Sequence, residues 1–200
     1  MEEFKNIASN GNSHNKQNRI LRAKWMDYRS PSIMMVTIVT TKRLPLLGKL
    51  QGENIILTEL GQKVAEEIKR IPTYNGAESI EIYSYVIMPD HVHFFCSPAT
   101  NPPHDFHLWM RYWKRLVTQE VWEGERPREP LSRYSDIAAR EYARPPRLWQ
   151  SGCWDTQMRM RDQYENKWLY VRNNPVRKGL SESADDWLYQ GVVSDLQWHD

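Results

Sequence analysis

The chain has 200 residues, of which 40% are hydrophobic and 26% are charged, and its formal net charge is +2. The length is typical of one domain with a substantial core, and the composition is ordinary for a soluble globular protein. No run approaches the roughly 18 apolar residues of a membrane span, and the polar N-terminus lacks the apolar stretch of a secretion signal. We therefore expect a cytoplasmic protein without a membrane partner.

Aromatic, basic and cysteine residues narrow the possible ligands only slightly. The nine Trp and ten Tyr could form a stacking surface for nucleobases, but most of them are expected to fill a core. The basic residues, Lys114 and Arg115 among them, could form a strip that follows phosphates or a scattered solvated surface, and the sequence leaves both open. Cys96 and Cys153 lie far apart without a CxxC pair, which argues against a disulfide framework and a four-ligand zinc site.

The first part of the chain predicts an arm, a strand and a helix. Residues 1–20 are rich in Asn, Ser, Gly and charge, which predicts a mobile arm before a single domain over 21–200. Residues 33–41 predict an apolar, β-branched strand, which a loop follows. Thr58 as N-cap and apolar residues at spacing four indicate a helix over 59–70.

The rest of the chain predicts two further strands and two further helices. Residues 80–96 predict two strand segments separated at Pro89, whose missing backbone donor predicts a bulge or an edge position. A helix over 105–122 follows, and the stretch 124–148, rich in Pro and Arg, predicts a flexible insertion. A last helix over 162–174 is closed by the proline after it and leads into a C-terminal tail. This order predicts an α+β sandwich with helices on an antiparallel sheet.

Residues 86–95 (VIMPDHVHFF) carry two histidines within an apolar strand pattern. Because residues i and i+2 of a strand face the same side, His91 and His93 can converge on one ion. A site with two protein nitrogens suits a divalent transition metal and leaves positions open for substrate. Asp90 could orient one histidine or simply stand in the bend after Pro89. The alternative is a pair of partly buried histidines that hydrogen-bond to backbone groups.

In the last predicted helix, Tyr170 lies outside the apolar stripe. Tyr164, Trp168 and Val171 stand at i, i+4 and i+7 and form that stripe, whereas Tyr170 projects away from it. A phenol is a feasible nucleophile toward a phosphodiester if a metal polarises the phosphate, although the position alone favours an ordinary rim tyrosine. Asn174 precedes a proline, which disfavours helical geometry, so it could end the helix or act as a ligand one turn after Tyr170.

Taken together, VIMPDHVHFF and the later segments WQSGCWDTQMRM and YVRNNPVRKGL resemble the single-tyrosine transposases of the HUH class. They look most like the REP-associated tyrosine transposases. That pattern is a His-hydrophobic-His strand, often MPNHVH, followed far downstream by a helix with a tyrosine before NPV and GL. This chain has MPDHVH at 88–93 and YVRNNPVRKGL at 170–180, and the similarity covers roughly residues 30–193. Either motif alone is unspecific, whereas both in this order are specific.

The resemblance implies a ferredoxin-like or RRM-like fold with an antiparallel sheet. It also implies that His91 and His93 bind Mg²⁺ or Mn²⁺ and that Tyr170 is the nucleophile. Family members often use a polar side chain one turn after the tyrosine as third ligand, which maps to Asn174 in this chain.

The resemblance also concerns DNA contacts and two departures from the pattern. Arg159 stands where the family often has a basic residue, and we expect it to contact DNA together with Lys114 and Arg115 of the middle helix. Asp90 stands where the family usually has Asn, which changes the charge beside the metal but not the ligands. Thr156 stands where many members have His, so any role of that histidine is absent.

The implied function is a metal-dependent transposase that cleaves and rejoins single-stranded DNA bearing palindromic hairpins. Tyr170 would attack phosphorus, release a 3′-hydroxyl and keep the 5′-phosphate as a phosphotyrosine, and the 3′-hydroxyl of a second strand would reverse the step. We expect a nucleoid-associated monomer or homodimer. The alternatives are a non-catalytic domain that binds single-stranded nucleic acid, a histidine-metal phosphodiesterase that uses water, and a scaffold whose histidines only pack.

Overall fold

Five antiparallel strands form the main sheet of the computed structural model, which describes residues 33–71, 80–98, 106–125 and 147–196. In chain order the strands are β1 (Ile33–Val39), β2 (Gly48–Gln51), β3 (Asn54–Leu57), β4 (Ile80–Met88), β5 (His91–Pro98), β6 (Trp154–Met158) and β7 (Gln190–Val192). The helices are α1 (Glu59–Arg70), α2 (Phe106–Glu125), α3 (Arg161–Arg172) and the short α4 (Asn174–Arg177).

The main sheet has the strand order β6-β1-β5-β4-β7, and β2 and β3 form a separate hairpin. The strands β1, β4, β5 and β6 with α1 and α2 follow the β-α-β-β-α-β connectivity of a ferredoxin-like fold. β7 adds a fifth strand at the edge, paired with β4. The predicted α+β class, with helices packed on an antiparallel sheet, is therefore confirmed.

The helices α1 and α2 cover one face of the sheet. Val64 of α1 and Trp113 of α2 are buried in the same core as Phe94 of β5, and the Phe94 and Trp113 ring centroids are 6.2 Å apart. Each large apolar side chain buried in this way contributes about 1.5–3 kcal/mol. Because Phe94 points into this layer, its neighbours in β5 point to the opposite face.

The helix α3 packs on that opposite face. Its residues Tyr164 and Trp168 contact Phe95 edge-on, with ring centroids 5.0 Å and 5.8 Å apart, and Val171 is fully buried in the same cluster. The predicted apolar stripe is therefore confirmed. His93 precedes Phe95 by two residues, so the histidines share the sheet face with α3.

The start of α1 is as the sequence predicts. The Thr58 hydroxyl accepts a hydrogen bond from the Gly61 backbone N–H at 3.1 Å, which satisfies one of the amides that a helix start leaves without an intrahelical partner. Gly61 is required for packing, because a Cβ there would lie 1.9 Å from the Leu47 carbonyl oxygen. The Leu47 backbone N–H in turn donates to the Pro89 carbonyl at 2.9 Å, which anchors the turn before His91.

The bulge or edge position predicted at Pro89 is wrong. Met88 ends β4, His91 begins β5, and these two residues are paired with each other. Pro89 and Asp90 between them therefore form a two-residue hairpin turn. In a turn Pro89 has no ladder hydrogen bond to lose. The irregularity of β4 lies instead between Ile82 and Ser84.

Four of the described strands lie outside the strand segments that the sequence predicts. The predicted loop after β1 contains the hairpin β2–β3, whose turn uses Gly52 at φ 63°. The segment before the tyrosine helix contains β6, and the predicted C-terminal tail contains β7. Trp187 of that tail is buried, and its indole N–H donates to the Ile87 carbonyl at 3.0 Å. The strands β6 and β7 are short and largely polar, so they carry little hydrophobic alternation and form through pairing with neighbouring strands.

Several predictions fall outside the residues that the structure describes. The predicted arm at 1–20 and most of the predicted insertion at 124–148 lie outside the described residues. Residues 124 and 125 are described and complete α2. The single-domain boundaries stay a prediction. Cys96 and Cys153 are buried and form no disulfide. Within the described ranges, no helix combines the length and apolar character needed to cross a membrane.

Candidate active site

Three buried side chains meet on the α3 face of the sheet. The Nε2 atoms of His91 and His93 are 3.1 Å apart. The side-chain amide of Asn174 lies 3.1 Å from the first and 2.9 Å from the second. These atoms form a nearly equilateral triangle, so all three can contact one small ion. The structure thus brings together the three residues that the sequence predicts as metal ligands.

Asn174 reaches the histidines because the chain breaks between α3 and α4. Asn173 adopts φ −82° and ψ 2°, and Pro175 stands in the first turn of α4. A proline cannot continue α3 without disrupting it, but it suits the start of a new helix. The Asn173 side chain donates to the Leu169 carbonyl at 2.8 Å and so closes α3. The predicted helix over 162–174 therefore ends early, and the helix-ending role left open for Asn174 belongs to Asn173.

A second layer of side chains holds both imidazole rings. The Nδ1–H of His91 donates to the Asp90 carboxylate at 2.5 Å, and the guanidinium of Arg43 donates to the other Asp90 oxygen at 3.2 Å. His93 is hydrogen-bonded through Nδ1 to the Thr37 hydroxyl at 2.8 Å. Partners of this kind fix the orientation of metal-binding histidines. Asp90 thus both stands in the turn and orients a histidine.

The electrostatics of the site keep one imidazole neutral and one carboxyl ionised. Burial, and next the neighbouring His91, lower the pKa of His93 to about 3. Burial acts to raise the pKa of Asp90, but hydrogen bonds from His91 and Arg43 more than offset it and hold that pKa below its ordinary value. A neutral imidazole offers a lone pair, which is the form that binds metal.

The geometry of the triangle fits a divalent cation. Ligands in adjacent positions on an octahedral ion, at bond lengths of about 2.1 Å, are about 3.0 Å apart, close to the 2.9–3.1 Å between His91, His93 and Asn174. The carboxylate on Nδ1 leaves the Nε2 of His91 as a lone pair, and the amide of Asn174 can present its oxygen after a flip. Among the described residues no three His, Cys, Asp or Glu side chains are grouped around one point, and the third polar side chain beside the two histidines is that of Asn174.

Tyr170 lies one helical turn before Asn174 and is 50% exposed. The Arg177 guanidinium lies over its ring, 4.3 Å from the centroid, and the Lys167 ammonium lies 5.9 Å from it. A hydrogen bond and the charge of Arg177 lower the pKa of the Tyr170 phenol below its ordinary value, and the charges of Lys167 and Lys178 add to this. The phenol is therefore accessible and lies among cations, both of which favour a nucleophile toward a phosphodiester.

The predicted DNA contacts are not brought together. Lys114 and Arg115 lie on α2, which packs on the sheet face opposite the histidines. The Lys114 ammonium donates to the carbonyls of Gln150 and Gly152, and burial lowers its pKa to about 8. Arg159 is exposed in the segment that joins β6 to α3. The geometry thus gives Lys114 a role in holding the chain after residue 147.

Trp154 is a further residue of this face that the sequence does not single out. Its register on β6 places it opposite Thr37 of β1, which is itself opposite His93 of β5. Directly opposed residues of an antiparallel sheet point to the same side, so its indole, 45% exposed, lies two strands away from His93. Only the pairing of β6 reveals this position, although an aromatic residue in a polar strand is a weak signal.

No family model matches this chain, and no curated protein matches it. Several solved structures are similar to it. One is the structure of a REP-associated tyrosine transposase bound to a REP hairpin, with 18% identity and a TM-score of 0.58, covering 88% of this chain and 95% of that chain. Another is a candidate transposase from Deinococcus radiodurans R1, with 12% identity and a TM-score of 0.43, covering 76% of this chain and 95% of that chain.

The first of these similarities establishes the fold. With 88% of the chain superposed at a TM-score of 0.58, the protein has the fold of a REP-associated tyrosine transposase. The relationship that the two motifs predict is therefore confirmed at the level of the fold.

Proposed function

We propose that the chain is a metal-dependent endonuclease and strand transferase of single-stranded DNA, which acts through a covalent 5′-phosphotyrosine on Tyr170. One observation carries the proposal: His91, His93 and Asn174 converge to within 2.9–3.1 Å of one another, one helical turn from an exposed tyrosine. A histidine pair that only packs has no need of a third polar side chain at ligand spacing, nor of an exposed tyrosine one helical turn before it.

His91, His93 and the amide oxygen of Asn174 would hold Mg²⁺ or Mn²⁺. When bound, such an ion supplies Lewis acidity that polarises a phosphate oxygen and offsets the charge that grows on it. Asp90 and Thr37 keep the imidazole rings aligned from their Nδ1 sides. Two histidines and one amide leave other coordination positions for substrate oxygens.

In the proposed reaction Tyr170 exchanges one phosphodiester for another. The phenol loses its proton to solvent, its oxygen forms a bond to phosphorus, and the bond from phosphorus to the 3′-oxygen breaks. The departing 3′-oxygen takes up a proton from solvent, and the 5′-phosphate stays on the tyrosine. Attack by the 3′-hydroxyl of a second strand reverses these steps, so the phosphodiester is restored without a nucleotide cofactor.

The proposed substrate is single-stranded DNA that carries a hairpin, because a protein of this fold has been solved with a REP hairpin bound. The exposed indole of Trp154 on the histidine face provides a surface on which an unpaired base can stack. Arg159, exposed just before α3, is a candidate phosphate contact.

The test is a denaturing gel of the protein with labelled hairpin DNA and Mn²⁺. We expect a covalent protein–DNA species that disappears in Tyr170→Phe and persists in Tyr164→Phe, a matched change on the same helix at a residue that packs on Phe95. His91→Ala and His93→Ala should each abolish the adduct. Mass spectrometry of the digested adduct should place the DNA on the peptide that contains Tyr170.

Three outcomes would contradict the proposal. Hairpin binding without any adduct would identify a non-catalytic binding domain. Full cleavage by Tyr170→Phe, with multiple turnovers, would identify a phosphodiesterase that uses water. Full cleavage by both histidine variants would exclude the histidines as metal ligands.

A further inference from the structure

We propose that Arg177 is a positioning residue that holds the ring of Tyr170 and keeps a positive charge beside its hydroxyl. This inference rests on the proposed function, because it assigns a task to the residue that touches the proposed nucleophile. The central observation is the guanidinium of Arg177 lying over the Tyr170 ring at 4.3 Å from the centroid.

The break between α3 and α4 brings the two residues together. Tyr170 belongs to α3 and Arg177 is the last residue of α4, with Asn174 between them. Tyr170 precedes Asn174 by four residues and Arg177 follows it by three, so the two side chains approach each other from the two sides of the break. The turn that directs Asn174 to the histidines therefore also places Arg177 over Tyr170.

The end of α4 is fixed, so Arg177 is presented from a defined backbone. Pro175 is buried, and its carbonyl accepts a hydrogen bond from the Leu180 N–H at 2.9 Å. Gly179 adopts φ 66°, the left-handed conformation in which glycine commonly ends a helix. A half-exposed tyrosine on a helix would otherwise be free to change rotamer, whereas a cation packed on its face restricts the ring.

The charges around the phenol all have one sign. Arg177 from α4, Lys167 from α3 and Lys178 after α4 are the groups whose charges act on Tyr170. Arg177 makes the largest contribution, and together the three lower the pKa of the phenol. They favour the phenolate, which is the attacking form, and the same cations would then lie beside the phosphate that joins Tyr170.

The first measurement needs neither metal nor DNA. The absorbance of the whole chain is titrated at alkaline pH, and the curve of Tyr170→Phe is subtracted to isolate one phenol among ten tyrosines. We expect Arg177→Gln to raise the midpoint of that difference curve and Arg177→Lys to raise it less. Arg172→Gln is the matched control, because Arg172 is a cation of α3, the helix of Tyr170, and pairs with Asp185. This variant should leave the midpoint unchanged.

The second measurement concerns adduct formation. Because misplacing a reacting group by about 1 Å costs about 10²-fold, we expect Arg177→Gln to slow adduct formation by about that factor. The urea midpoint should stay near wild type, and hairpin affinity should fall by far less than the rate of adduct formation. The pH–rate profile should move to higher pH, and Arg177→Lys should restore part of the rate.

The failures of the two proposals are distinguishable. An unchanged phenol titration in Arg177→Gln would overturn the contact itself. A shifted titration with an unchanged rate of adduct formation would overturn the positioning role. Full cleavage by Tyr170→Phe would overturn the proposed function, and with it the role of Arg177 in catalysis, whatever the titration shows.

Discussion

The adjacent asparagines Asn173 and Asn174 offer a paired test of the metal site, because one residue closes a helix and the other faces the histidines. Asn173 donates to the Leu169 carbonyl at 2.8 Å, in a partly exposed position. Asn174 is buried and lies 2.9 Å and 3.1 Å from two imidazole nitrogens. The same change at each position, Asn to Ala, should therefore have different consequences.

Asn173→Ala removes one partly exposed hydrogen bond, which contributes about 0.5–1.5 kcal/mol to stability. It should lower the free energy of unfolding by about that amount and leave Mn²⁺ affinity unchanged. Asn174→Ala leaves two buried imidazoles without their amide partner, which should lower the free energy of unfolding by about 1–3 kcal/mol. It should also weaken Mn²⁺ binding by at least about 10–100-fold, the range found when groups one shell further from a metal are removed.

The assay is calorimetric titration of Mn²⁺ into each variant, with urea unfolding of the metal-free proteins in parallel. Asn174→Asp extends the series, because a carboxylate oxygen at that position should keep or increase the affinity. Equal Mn²⁺ affinities for the wild type, Asn173→Ala and Asn174→Ala would refute Asn174 as a ligand. Equal losses in both alanine variants would show that the integrity of the helix break matters and the amide does not.

Two further predictions concern Trp154 and His93. The Trp154 variants are compared in a Tyr170→Phe background, which cannot cleave. If a base stacks on Trp154, Trp154→Ala should weaken hairpin binding by about 1–3 kcal/mol, whereas Trp154→Phe should retain most of the affinity. Equal affinities of all three proteins would exclude stacking there. The folded-state pKa of His93, about 3, lies below the ordinary 6.5, so its contribution to stability is complete above pH 6.5 and is lost as the pH falls toward 3. Urea unfolding without metal should thus show a loss of up to about 1.4 kcal/mol per pH unit between pH 6.5 and 4.5, and a His93→Asn variant with the same pH dependence would contradict this.

The sequence determines those parts of the protein in which one local pattern decides the outcome. Thr58 and the apolar spacing after it define α1, and strand alternation alone places His91 and His93 on one face. The stripe of Tyr164, Trp168 and Val171 likewise fixes which side of α3 is buried, and so leaves Tyr170 outside it. The resemblance to transposases adds roles for these positions, and the fold supports the relationship.

Contacts between segments far apart in sequence decide the rest. The strands β6 and β7 are short and polar, and they form because β1 and β4 offer them unpaired edges. The sequence places Lys114 on a helix, but only the fold shows that α2 packs on the sheet face opposite the histidines and that the ammonium donates to loop carbonyls. Its contact with DNA stays a prediction.

The division is clearest at Asn173 and Asn174, which share a residue type and are neighbours in the sequence. Pro175 predicts that a helix ends just before it. The sequence alone does not tell which of the two asparagines ends that helix. The direction of α4 settles that question, and this direction depends on burial of Pro175 and Val171 against the rest of the molecule. A change of one residue along a helix rotates a side chain by about 100°, so only the packed tertiary structure determines which amide faces the histidines.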